Sequence, residues 1–339
     1  MNNKKWLITF MSIFVVTMSL FGLVNYVVDP FSVFQTNFFK RSGQINERYV
    51  KIEFLEKHHN KFNAYIFGSS RIGVVKPEVI EQYLPNSKFY NFTLSSGNLH
   101  DYMVHLKYFI KRKYEIKTLY MQIDIDDMNY YGQDESDYLC KLHPYVTNEF
   151  RIAGKMKYLF GFFPLNVRKK ISVNFQKDSP KKFDVSIGIW SLPDNEKQLE
   201  KNPKKYVENE GSFHFKNRRV LRYIREKEAM KALQIIVDLC QKNKIKLYVF
   251  TSAHNQNKMD TFVLEDYKKY LRDISEITSF YDFSGYNSVT MNNANYYEMS
   301  HYRPRVGSLM AARIFDDKNI SVPKDFGKFI AKGTLRGNR

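Results

Sequence analysis

Five short apolar runs set the fold class open to this chain. They are Asn63–Phe67, Lys88–Thr93, Thr118–Ile123, Lys246–Thr251 and Phe280–Phe283, each rich in aromatic or β-branched residues. Between them the pattern changes to a helical rhythm, expected over about 76–84, 98–113, 218–242, 261–276 and 305–316. Pro77 suits a first helical turn, and Leu99, Tyr102, Met103, Leu106, Phe109 and Ile110 line one side of the second helix. Strands alternating with helices imply an α/β fold, a five-stranded parallel sheet covered on both faces by right-handed crossovers. The ligand crevice of such a sheet lies at the carboxyl ends of its strands. Ser70, Gly97, the segment Asp124–Asn129 and His254 all stand just past those ends.

Ahead of the sheet lies a segment of another kind. Trp6–Val28 is 23 residues without one charge, preceded by Lys4 and Lys5. As a helix it would be roughly 34 Å long, enough to span a bilayer. The sequence Asn25–Pro30 offers no small-residue cleavage site, so an uncleaved anchor over 1–29 is expected rather than a removed signal peptide. The two lysines keep the amino terminus cytoplasmic and place the chain beyond Asp29 outside, as a single-pass cell-membrane protein. The formal charge of +18 would otherwise suggest nucleic acid, but the Lys and Arg are scattered and no nucleic-acid motif occurs. A basic ectodomain instead faces anionic headgroups or envelope polymers.

Residues 30–60 read as a polar connector with a helix around 46–59, leading into the main domain over 61–330. The alternation is broken by an insertion at about 125–215. Its apolar part, Lys155–Leu165 with basic flanks, is either a helix packed on the domain or a surface resting on the membrane or a membrane partner. Residues 176–216, rich in Lys, Asn and Pro, read as loop. Cys140 and Cys240 are too far apart in sequence to define a disulfide, and the eight histidines show no metal-ligand spacing, so no metal or cofactor is expected.

The chemistry gathers at two distant motifs. Phe67-Gly68-Ser69-Ser70-Arg71 closes the first strand, and a serine on so tight a turn stands beside backbone N–H groups able to hold a developing oxyanion. Glu298-Met299-Ser300-His301 lies between the fifth strand and the last helix. An acid three residues before a histidine supplies a base and its orienting carboxylate for a serine nucleophile. His254 either touches substrate or is merely an exposed loop residue. Arg71 and Arg303, beside the two motifs, either bind an anionic glycan or solvate the rim.

Gly68-Ser69-Ser70, the strand-end Gly97 and the Glu298/His301 pair together resemble the SGNH (GDSL-like) hydrolase family. Within it the likeness is to the membrane-anchored branch of D-alanine transfer (DltD-like) and alginate O-acetylation proteins. That branch is similar in its single amino-terminal anchor and in Gly-Ser-Ser replacing Gly-Asp-Ser. The likeness covers about 60–124 and 218–316. It implies a flavodoxin-type sandwich with Ser70 as nucleophile, His301 as base, Glu298 as orienter, and Gly97 with the Ser70 N–H as oxyanion donors. The family's DxxH is Glu-Met-Ser-His here, and its Gly-x-Asn-Asp block has no clean copy, which leaves Asn129 as the candidate oxyanion asparagine.

The expected activity is that of an extracytoplasmic O-acyltransferase or esterase, acting in acylation, chiefly O-acetylation, of a cell-surface polysaccharide. The resemblance further implies a membrane-bound O-acyltransferase (MBOAT) partner that delivers the acyl group. The alternative is a non-catalytic scaffold of the same fold that serves such a partner.

Overall fold

The computed structural model describes residues 3–36, 38, 45–125, 138–163, 168, 172, 181–214, 220–224 and 226–335. The chain divides into two compact units, Met1–Glu53 with Asp134–Lys182, and Phe54–Gln133 with Phe183–Arg339. Of the interval 125–215 expected as an insertion, Asp134–Lys182 groups with the amino-terminal helix, and the parts before Asp134 and from Phe183 group with the sheet.

In the first unit, helix α1 (Asn3–Val28) is long and apolar enough to cross a membrane. It ends at Asp29-Pro30, where buried Asp29 accepts the Phe34 N–H at 3.1 Å and turns the chain. Helix α2 (Glu47–His58) begins in this unit where the expected connector helix stands. Glu53 on α2 accepts from Arg151 at 2.9 Å and meets His143 at 3.2 Å. Burial alone would raise this carboxyl, but the hydrogen bond and charge of His143, with Arg151 and Lys155, hold it at about 2.

The second unit carries a six-stranded sheet. Strands β1 (Ala64–Phe67), β2 (Phe89–Asn91), β3 (Thr118–Ile123), β6 (Lys246–Thr251), β7 (Phe280–Asp282) and β10 (Lys328–Ile330) lie in the order β10-β7-β6-β3-β1-β2. Two short strands between β3 and β6 are β4 (Lys182–Asp184) and β5 (Ile189–Ser191), and a hairpin after β7 comprises β8 (Tyr296–Glu298) and β9 (His301–Tyr302). The five strands expected from sequence are mutually parallel. The sixth, β10, was not expected: it runs antiparallel on β7, with Phe329 opposite Tyr281 and their rings 5.2 Å apart. Strands β1 and β3 are buried along their whole length, as both-face coverage requires.

The two-residue period assigns the faces. Tyr65 and Phe67 point to Phe109 of helix α4 (Leu99–Lys111), at ring separations of 4.9 and 5.9 Å. Tyr120, registered with Ile66 and so on the other face, stacks on Phe315 just past the helix Pro304–Ile314. Helix α4 packs on the helix Glu226–Lys242, while α3 (Glu78–Glu81) packs on Pro304–Ile314. α3 is shorter than the expected 76–84, and the helix expected from 218 starts at Glu226, because Leu221 makes a parallel bridge to Phe262 instead. Residues 183–213, read as loop, contain the helices Pro193–Lys201 and Pro203–Asn209. Burial pushes the Cys240 thiol up to about 12.

Strand order reverses between β1 and β3, so the crevice of this sheet opens where the chain leaves those two strands. Ser70 follows the first and Asp124 the second.

Candidate active site

Ser70 is placed by a turn that has no room for a side chain at its head. A Cβ on Gly68 would come within 2.5 Å of Ile72 Cγ2 and 3.2 Å of Gln122 Cβ. Gly68 O also accepts the Leu94 N–H at 2.9 Å, tying the turn to the end of β2. Gly68→Ala is expected to destabilise the protein by about 1–3 kcal/mol and, by shifting Ser70, to lower ester turnover on the order of 10²-fold. Thermal melts and turnover of a small activated ester measure both. Unchanged values would show that the turn tolerates a methyl group.

The candidate base, His301, comes from the β8–β9 hairpin. Its loop is Met299-Ser300, so Glu298 and His301 are direct cross-strand partners and their side chains meet. The Ser70 Oγ lies 2.7 Å from His301 Nε2, and His301 Nδ1 is hydrogen-bonded to Glu298 Oε1. The Ser300 N–H donates to the other carboxylate oxygen at 3.0 Å. Burial alone would raise the Glu298 carboxyl. The hydrogen bond and charge of His301, then the Ser300 N–H and the field of Arg71, hold it below its ordinary value of 4.5. An ionised carboxylate only accepts, so Nδ1 carries the proton, and in the neutral imidazole Nε2 is left to accept from the Ser70 hydroxyl.

Buried tyrosines fix the hairpin to the sheet. Tyr302 donates to Gln122 Oε1 on β3 at 2.6 Å, and Tyr296 donates to Ala253 O beyond β6 at 2.9 Å. From the other side Tyr206 donates to Tyr297 O at 2.9 Å, and Ser212 Oγ accepts the Met299 N–H at 3.1 Å. Those two residues belong to the stretch read as loop. Pro193 and Pro203, each at a helix start, with Asp194 and Glu196 in the first turn of the former, were the signals that could have located its helices.

The remaining sequence-stated candidates have other partners. Arg71 is buried and pairs with Asp124 at 3.1 Å. Asp124 also accepts from Ser69 at 2.8 Å and Gln122 at 3.1 Å, and buried His254 stands 3.5 Å from it. Neither Arg71 nor His254 is an exposed rim residue. Arg303 is buried against Glu196, which takes two of its N–H groups at 2.6 and 3.1 Å, and it also donates to Ala294 O. Tyr297 donates to the same Glu196 at 2.6 Å. Burial would raise Glu196, but Arg303 and Tyr297 hold it below the usual carboxylate value. Arg303 is thus buried and not a solvated rim residue.

Gly97, expected as an oxyanion donor, has its N–H engaged within its own turn. Its N–H goes to Leu94 O at 2.8 Å, in a turn feeding the capping box by which Asn98 and Asp101 start α4. A Cβ on Gly97 would lie 2.9 Å from Leu94 O, which is reason enough for glycine there. Among the described residues the Ser70 N–H donates no hydrogen bond. Asn129 lies outside the described residues.

The site is half-buried, with side-chain exposures of 38% for His301 and 33% for Glu298. The arrangement can withdraw a proton from Ser70 and return it to a leaving group. Compared with known proteins, the chain matches no family model and no curated protein.

Proposed function

We propose that the protein is a membrane-anchored, extracytoplasmic serine acyltransferase or esterase of the SGNH type. The single observation that carries this reading is the hydrogen-bonded series Ser70–His301–Glu298 at the carboxyl end of a parallel sheet. In the reaction, Ser70 Oγ attacks the carbonyl carbon of an acyl donor while His301 Nε2 takes its proton. The resulting oxyanion is received by the Ser70 N–H, and the leaving oxygen departs with the proton held by His301. The acyl group then rests on Ser70 as an ester. A sugar hydroxyl or a water, deprotonated by His301, attacks that ester and regenerates the serine. The acceptor hydroxyl is that of a cell-surface polysaccharide, a reading that rests on the resemblance to the SGNH family and on the partial exposure of His301.

The 2-1-3 start of the strand order supports the flavodoxin-type sandwich that the resemblance implies. Helix α1 supports the anchor, Lys4 and Lys5 its orientation, and an acyl donor made in the cytoplasm calls for a membrane-bound O-acyltransferase partner. One observation favours the second reading, a scaffold of the same fold without turnover. The Gly97 N–H is engaged in its turn, which leaves the Ser70 N–H as the one identified oxyanion donor among the described residues.

A fluorophosphonate probe separates the two. Stoichiometric labelling of the full-length protein, abolished by Ser70→Ala, is expected. A folded wild-type protein that does not react would leave the scaffold.

A further inference from the structure

We propose that the face of helix α6 (Arg151–Leu159) bearing Ile152 and Met156, with Phe150 and Phe162 at its ends, lies in the interfacial layer of the bilayer that α1 crosses. The inference rests on the reading of α1 as a membrane span and goes beyond it, since a span alone says nothing about a second contact with lipid.

Helix α1 supplies the depth scale. Its aromatic residues Trp6 and Tyr26 are both exposed and stand 20 residues apart, roughly 30 Å along a helix, which matches the hydrocarbon core with an aromatic at each boundary. The segment after α6 is clamped to α1 one turn short of Tyr26. Asn25 Nδ2 donates to Leu159 O at 2.8 Å and to Gly161 O at 3.4 Å. Gly22 lies so close to the Phe160 ring that a Cβ there would be 3.0 Å from it, the close approach small residues permit between elements in lipid. Leu159–Gly161 is thus at the level where α1 leaves the hydrocarbon.

The orientation of α6 is fixed from its other side. Gly154 is pressed on Pro144 and Tyr49, so closely that a Cβ would be 2.2 Å from Pro144 Cγ. Buried Tyr158 donates to Tyr138 O at 3.0 Å and accepts from Asn46 Nδ2 at 2.8 Å. The helix cannot roll to cover its outer face. That face keeps Phe150 88%, Ile152 78% and Phe162 75% exposed. A group of large apolar side chains held in water by the fold is unfavourable unless something covers them.

The charge pattern identifies the cover. Residues 150–170 contain Arg151, Lys155, Lys157, Arg168, Lys169 and Lys170 and not one Asp or Glu. Among the described residues only Glu53 and Glu149, from outside this stretch, pair with Arg151, Lys155 and Lys157. An apolar stripe with basic flanks, at the exit level of a membrane span, is the composition of a helix lying at the boundary of acyl chains and anionic headgroups.

The test uses the full-length chain, one copy per nanodisc, in phosphatidylglycerol-containing lipid brominated near the carboxyl end of the acyl chain. Bromine quenches a nearby indole, and the chain has two tryptophans, Trp6 in α1 and buried Trp190. Trp6→Phe gives the baseline from Trp190. Adding Phe162→Trp or Ile152→Trp to it places an indole on the α6 face, at exposed positions that accept the change without repacking. The expected result is about a twofold or greater loss of the added emission in brominated discs, with a blue shift relative to detergent-free solvent-exposed indole. If Trp6 of the wild type is quenched and both added indoles are not, the face is turned to water or to a protein partner and the proposal is overturned while the anchor stands. If Trp6 itself is not quenched, the anchor reading falls, and this one falls with it.

Discussion

Glu298→Gln is expected to lose about 10⁴ in ester turnover while melting close to the wild type. The amide is nearly the same shape and can still accept from Ser300, but it can also present its NH₂ to Nδ1, which favours the tautomer with the proton on Nε2. That proton then points at Ser70, and the base is lost without the site falling apart. Ser70→Ala, His301→Ala and their combination should be about equally inactive, because nucleophile and base act as one unit. Glu298→Asp, one methylene shorter, should be intermediate, since the cross-strand pairing brings the two Cα atoms close but Glu298 already divides its oxygens between His301 and Ser300. The pH dependence follows from the direction of the Glu298 shift. A carboxyl held below its ordinary value of 4.5 contributes stability that is present above that value and is lost as pH falls through the lower folded one. The acid limb due to Glu298 should therefore lie below 4.5 in wild type. Glu298→Gln should lack that limb and be inactive at neutral pH as well. Turnover of an acetylated sugar across pH, with melting temperatures alongside, measures all of this. Near-wild-type rates in Glu298→Gln would place the orienting acid elsewhere.

The parts of this arrangement differ in how far sequence reveals them, and the difference is physical. The five parallel strands are legible because burial on both faces demands continuous apolar runs, and each run here is long enough to stand out. Strand β10 is three residues with two of them exposed, so its pairing with β7 leaves almost no composition signal. The spacing of Glu298 and His301 is legible as chemistry, but that they meet across a two-residue hairpin depends on Tyr296 and Tyr302 reaching Ala253 and Gln122, contacts between positions far apart in the chain. The charged residues near the motifs illustrate the limit. Arg71 and Arg303 look like rim residues from their neighbours alone. Only their partners, buried Asp124 and half-buried Glu196, distant in sequence, reveal that they hold the site together.

Asp124→Asn is the variant expected to cost most stability. Asp124 has no exposed side-chain surface and meets Ser69, Gln122 and Arg71 through one oxygen, with His254 beside the other. Removing its charge takes from the buried Arg71 guanidinium the carboxylate 3.1 Å away, and breaking a buried pair destabilises by about 3–5 kcal/mol. For a unit of this size the melting temperature should fall by roughly 10 °C. Arg71→Met combined with Asp124→Leu removes both charges and should recover a substantial part of the loss, because an apolar pair of similar volume does not carry the desolvation cost of buried charge. The difference between the double variant and the sum of Arg71→Met and Asp124→Leu is the coupling that a cycle measures. Turnover supplies the readout a merely structural role would not share with catalysis. Ser69 sits between Asp124 and the nucleophile, so the folded fraction of Asp124→Asn should lose only about 10-fold as Ser70 is positioned less well, far from the 10⁴ expected of Glu298→Gln. A folded Asp124→Asn with a 10⁴ loss, beside an active Glu298→Gln, would make Asp124 the orienting acid and dismantle the triad as drawn.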